Sequence, residues 1–174
     1  GYNVALGITA LDRVTTGAMN TAIGSEALSE NTDGAKNTAV GHYSLSRNVG
    51  GDENTAIGYQ ALWSNRTGKN NTAVGSESLF NSSAGWHNTA VGRQALRVST
   101  ATANTVVGYR AALANSSGGN NTALGYQALD TVTVGTANTV IGSESDVGAN
   151  NLTNATAIGY GAIVNDSNTM QLGN

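Results

Sequence analysis

Cysteine and proline are absent from the 174 residues, charged residues make up 11% and aromatic residues 5%. Without cysteine there is neither a disulfide framework nor a thiolate metal site, and the redox compartment is left open. Eight Lys and Arg against eleven Asp and Glu give a net charge of −3, so no basic field exists to attract a phosphate backbone, and nucleic acid is excluded as a partner. No apolar run reaches the roughly 18 residues of a membrane span, so no membrane insertion is expected of this segment. Nor does a charged stretch followed by an apolar one open the chain as a secretory leader would.

What is present is a narrow alphabet. Gly 23, Ala 25, Asn 22 and Thr 21 together fill more than half of the positions. An ordinary enzyme of this length draws its core from bulky aliphatic and aromatic residues. The small net charge and the regular return of β-branched residues separate the chain from disordered sequences of similar bias.

The bias comes from a repeat. Asn-Thr-Ala-(Ile/Val)-Gly occurs at positions 20–24, 37–41, 54–58, 71–75 and 88–92, with a Leu variant at 121–125 and looser variants ending at Gly7, Gly108, Gly142, Gly159 and Gly173. Successive glycines lie 17, 17, 17, 17, 17, 16, 17, 17, 17 and 14 residues apart. Three residues after each of the first ten comes a small one (Ala10, Ala27, Ser44, Ala61, Ser78, Ala95, Ala111, Ala128, Ser145, Ala162). Next comes usually leucine (Leu11, Leu28, Leu45, Leu62, Leu79, Leu96, Leu129), with Ala112, Asp146 and Ile163 as departures. A polar stretch with a second glycine, such as Gly34, Gly51 or Gly68, completes the unit.

Gly, Asn, Thr and Ser interrupt every helical window, and apolar residues do not recur at three and four. The unit reads as strand, turn, short strand, turn, and 17 residues trace a contour of about 56 Å, enough for one flattened coil. The predicted fold is all-β: a parallel β-roll, or β-solenoid, of about ten 17-residue coils in a single repeat domain over 1–174, about 50 Å long. Because Gly1 opens almost directly on a repeat, the segment is read as a piece of a longer fibre protein.

Stacking aligns like with like. The reading places Ile23, Val40, Ile57, Val74, Val91, Val107, Leu124, Ile141 and Ile158 in an interior aliphatic ladder opposite the leucines, with Thr21, Thr38, Thr55 and their equivalents beside it, hydroxyls bonding adjacent coils. Asparagines such as Asn37 and Asn54 ladder through their amides and take a left-handed corner. The glycine ending each strand supplies positive φ or close approach. Proline would remove a ladder donor, in keeping with its absence. One coil carries little apolar surface against the entropy of ordering 17 residues, so further burial between chains is expected. The alternating face of Ala39 and Gly41 is assigned to that contact, the alternative being that these residues face inward in a thin roll.

Asn-Thr-Ala-Ile-Gly followed by a small residue resembles the head repeat of trimeric autotransporter adhesins. The longer Asn54 to Leu62 phrase, nearly repeated at Asn121 to Leu129, is similar to repeats of bacteriophage tail fibres and bacterial surface proteins. The resemblance covers essentially the whole chain. It implies left-handed parallel rolls, intertwined or packed as a homotrimer, and an extracellular place on a bacterial surface or virion. It also implies a structural and adhesive role as shaft and head, attaching to a host cell or surface. The ending Ser167 to Asn174 resembles the approach to a self-cleaving chaperone domain of such fibres. The 17-residue period is longer than the 14 or so of the autotransporter heads, which the last unit matches.

Catalytic signatures are lacking, and no enzyme is expected. Glu26, Glu77 and Glu144 share one position but lie three or four coils apart, about 14 to 19 Å, too far for a glycosidase acid and base within one stack. Asp52 and Glu53 read as a solvated turn, and His42 and His87 have no ligand spacing, so neither metal nor cofactor is expected. Asn65-Arg66-Thr67 and Asn115-Ser116-Ser117 match the glycosylation triplet in a composition where such triplets arise by chance. Two other functions stay open: a tailspike-type polysaccharide-degrading segment, and an ice-binding solenoid built on the Thr rows.

Partner recognition is assigned to outward positions. Tyr59, Gln60, Arg93, Gln94, Tyr109, Arg110, Tyr126 and Gln127 follow the corner glycines, and Trp63, Phe80, Trp86 and His87 occupy wider turns. Tyr59, Trp63, Phe80, Trp86 and His87 are the candidate contact residues for a cell-surface glycan or protein receptor, aromatics suiting sugar stacking. The competing reading is that Trp63 and Phe80 stack one coil apart as a cover.

Overall fold

The computed structural model describes residues 1–174 and contains thirteen short strands and no helix, hence none long and apolar enough to cross a membrane. Eleven strands of three residues stack in chain order into one parallel sheet: β1 (Val4–Leu6), β2 (Thr21–Ile23), β3 (Thr38–Val40), β4 (Thr55–Ile57), β5 (Thr72–Val74), β6 (Thr89–Val91), β7 (Thr105–Val107), β8 (Thr122–Leu124), β9 (Thr139–Ile141), β11 (Thr156–Ile158) and β13 (Met170–Leu172). The remaining two, β10 (Asp146–Val147) and β12 (Ile163–Val164), pair with each other. Thr38 lies opposite Thr55, Ala39 opposite Ala56 and Val40 opposite Ile57, and the same register holds from coil to coil. The result is the expected solenoid of about ten turns.

The pleat is the reverse of the one expected. Ala22, Ala39, Ala56, Ala73, Ala90 and Ala157 are fully enclosed, whereas Ile23, Ile57 and Leu124 are 38%, 41% and 47% exposed. The alanines face the interior, and the Thr and Ile/Val/Leu columns form the outer face of the sheet. Room inside the coil explains this. The enclosed leucines Leu28, Leu45, Leu62, Leu79, Leu96 and Leu129 reach in from the opposite wall, and two columns of asparagine fill the corners, leaving space only for a methyl group. Two enclosed valines, Val106 and Val140, stand in the coils where that leucine is replaced by Ala112 and Asp146, so the interior volume is kept.

Where a second strand is expected, most coils instead form a turn. Residues two and four after the strand-ending glycine are left-handed, as at Glu26 (φ 56°) and Leu28 (φ 52°), a conformation that breaks the pleat. Inter-coil bonds persist through it: the Leu28 and Glu30 N–H groups donate to the Ser44 and Ser46 carbonyls at 3.1 and 2.9 Å. Only the last full coils straighten, into β10 and β12. There Val147 and Val164 take the buried place, Ile163 points outward at 51% exposure, and Asp146 turns its carboxylate to the Thr131 hydroxyl at 2.7 Å. Asp146 and Ile163 therefore leave the leucine column to which their spacing assigns them.

The corner glycines behave as predicted. At Gly41 φ is 131°, and a Cβ there would stand 2.6 Å from the Gly58 carbonyl oxygen. Positive φ at the other corner belongs to the residue before the asparagine, such as Lys36 (φ 58°) or Glu53 (φ 59°), and not to the asparagine itself.

The asparagines do form a ladder. From Asn3 to Asn138, each Oδ1 accepts the backbone N–H at the start of the next coil at 2.8–3.0 Å, ending on Ala155. Nδ2 of Asn20, Asn37, Asn54 and Asn71 crosses the coil to the carbonyls of Gly34, Gly51, Gly68 and Gly85 at 2.7–2.8 Å. A second buried column continues from Asn31 through Asn48 to Asn65, with Nδ2 to Oδ1 distances of 2.7 and 2.8 Å. Asn65 and Asn115 are buried, which takes the acceptor amides of both glycosylation triplets out of solvent. Where serine replaces the alanine three residues after the corner glycine, as at Ser44, Ser78 and Ser145, its hydroxyl donates to that glycine's carbonyl at 2.7–2.9 Å.

Asn54→Ala removes the acceptor of the Asn71 N–H and the donor to Gly68 inside a closed coil, and should cost about 3 kcal/mol in urea denaturation. Exposed Asn81→Ala should stay within about 0.5 kcal/mol of the parent.

Candidate functional site

Repetition turns side chains into columns that run along the rod, and the exposed columns are its only extended surfaces. One is the outer face of the sheet, where rows of Thr and of Ile, Val or Leu stand side by side over successive coils. Single exposed aliphatic residues are ordinary on protein surfaces; an unbroken row of them in register is not.

The five predicted contact residues fall into three different columns. Trp63 and Phe80 form the central pair of the first, their rings stacked at 5.0 Å and 6°. Arg47 Cζ lies over the Trp63 ring, 3.7 Å from its centroid, and Arg97 Cζ lies over the Phe80 ring, 4.9 Å from its centroid. Each ring thus has an arginine on one face and the other ring on its second face, which leaves neither free for sugar stacking. Arg97 is fixed in turn by its Nε to Glu77 Oε2 bond of 2.8 Å. That hydrogen bond, outweighing partial burial, holds the Glu77 carboxyl below the usual carboxylate range.

Tyr59 belongs to the column that follows the corner glycines. Its ring is tilted against His42 at 5.9 Å, and His42 stacks on Tyr43 at 4.0 Å. Further along, Tyr109 and Tyr126 stack at 5.5 Å with Arg93 Cζ 5.9 Å from Tyr109. Trp86 and His87 sit in the third column, before the strands, where the His87 N–H donates to the Lys69 carbonyl at 3.1 Å. Trp86 is 49% exposed. The predicted aromatic cluster is thereby divided among three surfaces.

The column of Trp86 also carries ion pairs that sequence reading missed, Lys36 with Glu53 at 2.8 Å and Lys69 with Asp52 at 2.7 Å. Both pairs, like the Trp63 and Phe80 stack, join residues 17 apart, so adding the period to each charged or aromatic position would have found them. At Asp52 burial acts to raise the carboxyl, but the Lys69 hydrogen bond, the Ala35 N–H and the two lysine charges bring it below its ordinary value. Asp146 goes the other way: burial pushes it above the usual range despite the bonds from Thr131 and from the Val147 N–H at 2.8 Å. No three His, Asp or Glu side chains come together as a metal-ligand group. No protein-family model matches the chain, and no curated protein sequence does either.

Trp63→Ala breaks the cation and ring stack and should lower stability by about 2 kcal/mol, whereas Trp86→Ala should leave the melting temperature nearly unchanged, as followed by circular dichroism. For Asp146 the folded state binds its proton more tightly than the unfolded one, so stability falls as pH rises from the ordinary carboxylate value through the raised folded value. Asp146→Asn should therefore match the parent under acid conditions and melt higher at neutral pH.

Proposed function

We propose that this chain is a non-enzymatic segment of an extracellular fibre, shaft and adhesive head together, in which three parallel left-handed rolls associate through the outer face of the sheet. Its place is a bacterial surface or a virion, and its work is attachment. The observation that carries this reading is the outward Thr and Ile/Val/Leu face. Its aliphatic row runs through every strand from Leu6 to Ile158, with Leu6, Ile57 and Leu124 at 68%, 41% and 47% exposure.

A second copy is the occupant that fits such a face. The rows repeat at the sheet spacing of about 4.8 Å, so an identical chain set parallel and level meets every row with its own equivalent. Three copies around one axis close the contact without leaving an open edge for further addition. The association surface moves from the Ala and Gly positions to the aliphatic columns, and the thin Ala-lined interior is what turns those columns outward. The resemblance of the Asn-Thr-Ala-Ile-Gly repeats to adhesin heads and tail fibres supports the same arrangement. A trimer multiplies weak contacts on its outward columns, raising attachment through effective concentration without any deep pocket.

The same face favours one other reading. A flat, regular array of Thr hydroxyls and aliphatic methyls has the chemistry of an ice-binding surface, and the pleat observed here presents it to solvent. The two readings compete for the same side chains, because a trimer that covers them leaves no ice face.

Light scattering at micromolar concentration should give three times the chain mass. Val74→Asp places a charge on the outer row without entering the core, and should yield a folded monomer with an unchanged β circular dichroism spectrum. A parent chain that is already monomeric and shows thermal hysteresis would replace the fibre reading with ice binding.

A further inference from the structure

The aromatic and cation column ends abruptly after Arg97, and the place where it ends is a groove. The following coil puts Leu113 where Trp63, Phe80 and Arg97 stand in the three before it, and Ala114 beside it. The coil of Arg97 is itself one residue short, the single 16-residue interval among the first nine. A groove of about 340 Å³ opens between these two coils, lined by Gln94, Arg97, Val98, Arg110, Leu113 and Ala114.

Its polar groups are strongly biased toward donors. Arg110 makes no ion pair, and its Nε is enclosed without any acceptor in the protein. Its backbone is held, the N–H donating to the Arg93 carbonyl at 3.0 Å. Arg97 spends its Nε on Glu77, and Gln94 Nε2 contacts the same Oε2 at 3.2 Å. Glu77 thus orients both side chains, leaving the terminal nitrogens of Arg97 and the Oε1 of Gln94 for a ligand. Arginine stays charged at every physiological pH and binds a carboxylate with paired parallel bonds. The enclosed Nε is closed to a ligand, but no protein acceptor takes the terminal nitrogens of Arg110, and these are left for an anion in the groove. Val98, Leu113 and Ala114 add an apolar floor.

We infer that this groove binds a carboxylate-bearing sugar residue, with Arg110 and Arg97 on the carboxylate, Gln94 Oε1 accepting from a ring hydroxyl, and the C–H face of the ring on Val98, Leu113 and Ala114. The volume is at the small end for ligand sites and suits one pyranose ring with its water. The inference deepens the attachment reading by naming a class of surface for it, the acidic glycan. The groove lies in columns separate from the sheet face, so self-association and sugar binding do not compete.

The test uses the whole chain and three probes, glucuronate, glucose and acetate, followed by NMR titration. Glucuronate should bind with a dissociation constant of about 1 mM. Glucose and acetate should each bind about tenfold more weakly, because one lacks the charge and the other the ring. Arg110→Gln should weaken glucuronate about tenfold with the melting temperature retained. Ala114→Trp fills the groove while leaving both arginines in the sequence and should do the same, so a poorly folded Arg110 variant does not stop the test. Absence of glucuronate binding, acetate binding as tight as glucuronate, or binding indifferent to both substitutions overturns the inference. These results do not depend on oligomeric state: a monomer that binds glucuronate keeps this site and loses the trimer, and a trimer that ignores it does the opposite.

Discussion

The asparagine amide at the start of each coil is the interaction on which the rest of the structure depends. Its Oδ1 takes the backbone N–H of the next coil, and in the regular coils its Nδ2 crosses the interior to the glycine carbonyl that closes its own coil. One side chain thereby fixes both the stacking distance and the width of the coil. A buried amide is favourable only when its hydrogen-bonding capacity is met, and the ladder meets the Oδ1 in the same way at each step while the Nδ2 turns to Ala101 or Leu152 where the closing glycine is replaced. Aspartate would lose the donor and leucine both functions, so the chemistry tolerates few substitutes. Glycine at the receiving carbonyl follows from the same geometry: a Cβ at Gly51 would run into the Asn48 side chain and the Gly68 carbonyl.

A coil held in this way is narrow, and narrowness decides the core. Amides occupy the corners and leucine one wall, so the facing wall can carry only a methyl group. The larger residues of each strand are expelled to the surface, so the interior composition and the outward aliphatic row are two results of a single spatial limit. The small residue beside the leucine obeys it too, alternating between alanine and a serine that satisfies its own hydroxyl on the corner glycine carbonyl.

Most of the architecture is legible in the sequence because the period is. Spacing alone yields the number of coils, the parallel register, the buried leucines and the positive-φ corner glycines. The orientation of the pleat is not, since alternation in Thr-Ala-Val says that Thr and Val share a face without saying which face is inside. Size suggests the aliphatic residue, and the structure answers with the available volume. A clue was present: alanine becomes valine at Val106 and Val140, in the coils where Ala112 and Asp146 replace leucine, as expected of positions that share one interior. The departures of Asp146 and Ile163 depend on a local switch from turn to strand that spacing cannot register. For the site, the aromatic residues were identifiable but their grouping was not. Tyr59, Trp63 and Trp86 are near in sequence, yet in a solenoid proximity belongs to residues one period apart.

Nearly every long-range bond in this molecule joins residues about 17 apart, and the sheet bonds run along the rod and not across it. An axial pull therefore loads the coils in series, with the end coil as the first to yield. Its release frees 17 residues, about 55 Å of extended chain in place of one step of about 5 Å, while the remaining stack keeps its structure. A stack built this way would lengthen in discrete increments under tension and shorten again as coils rewind on the template beneath them.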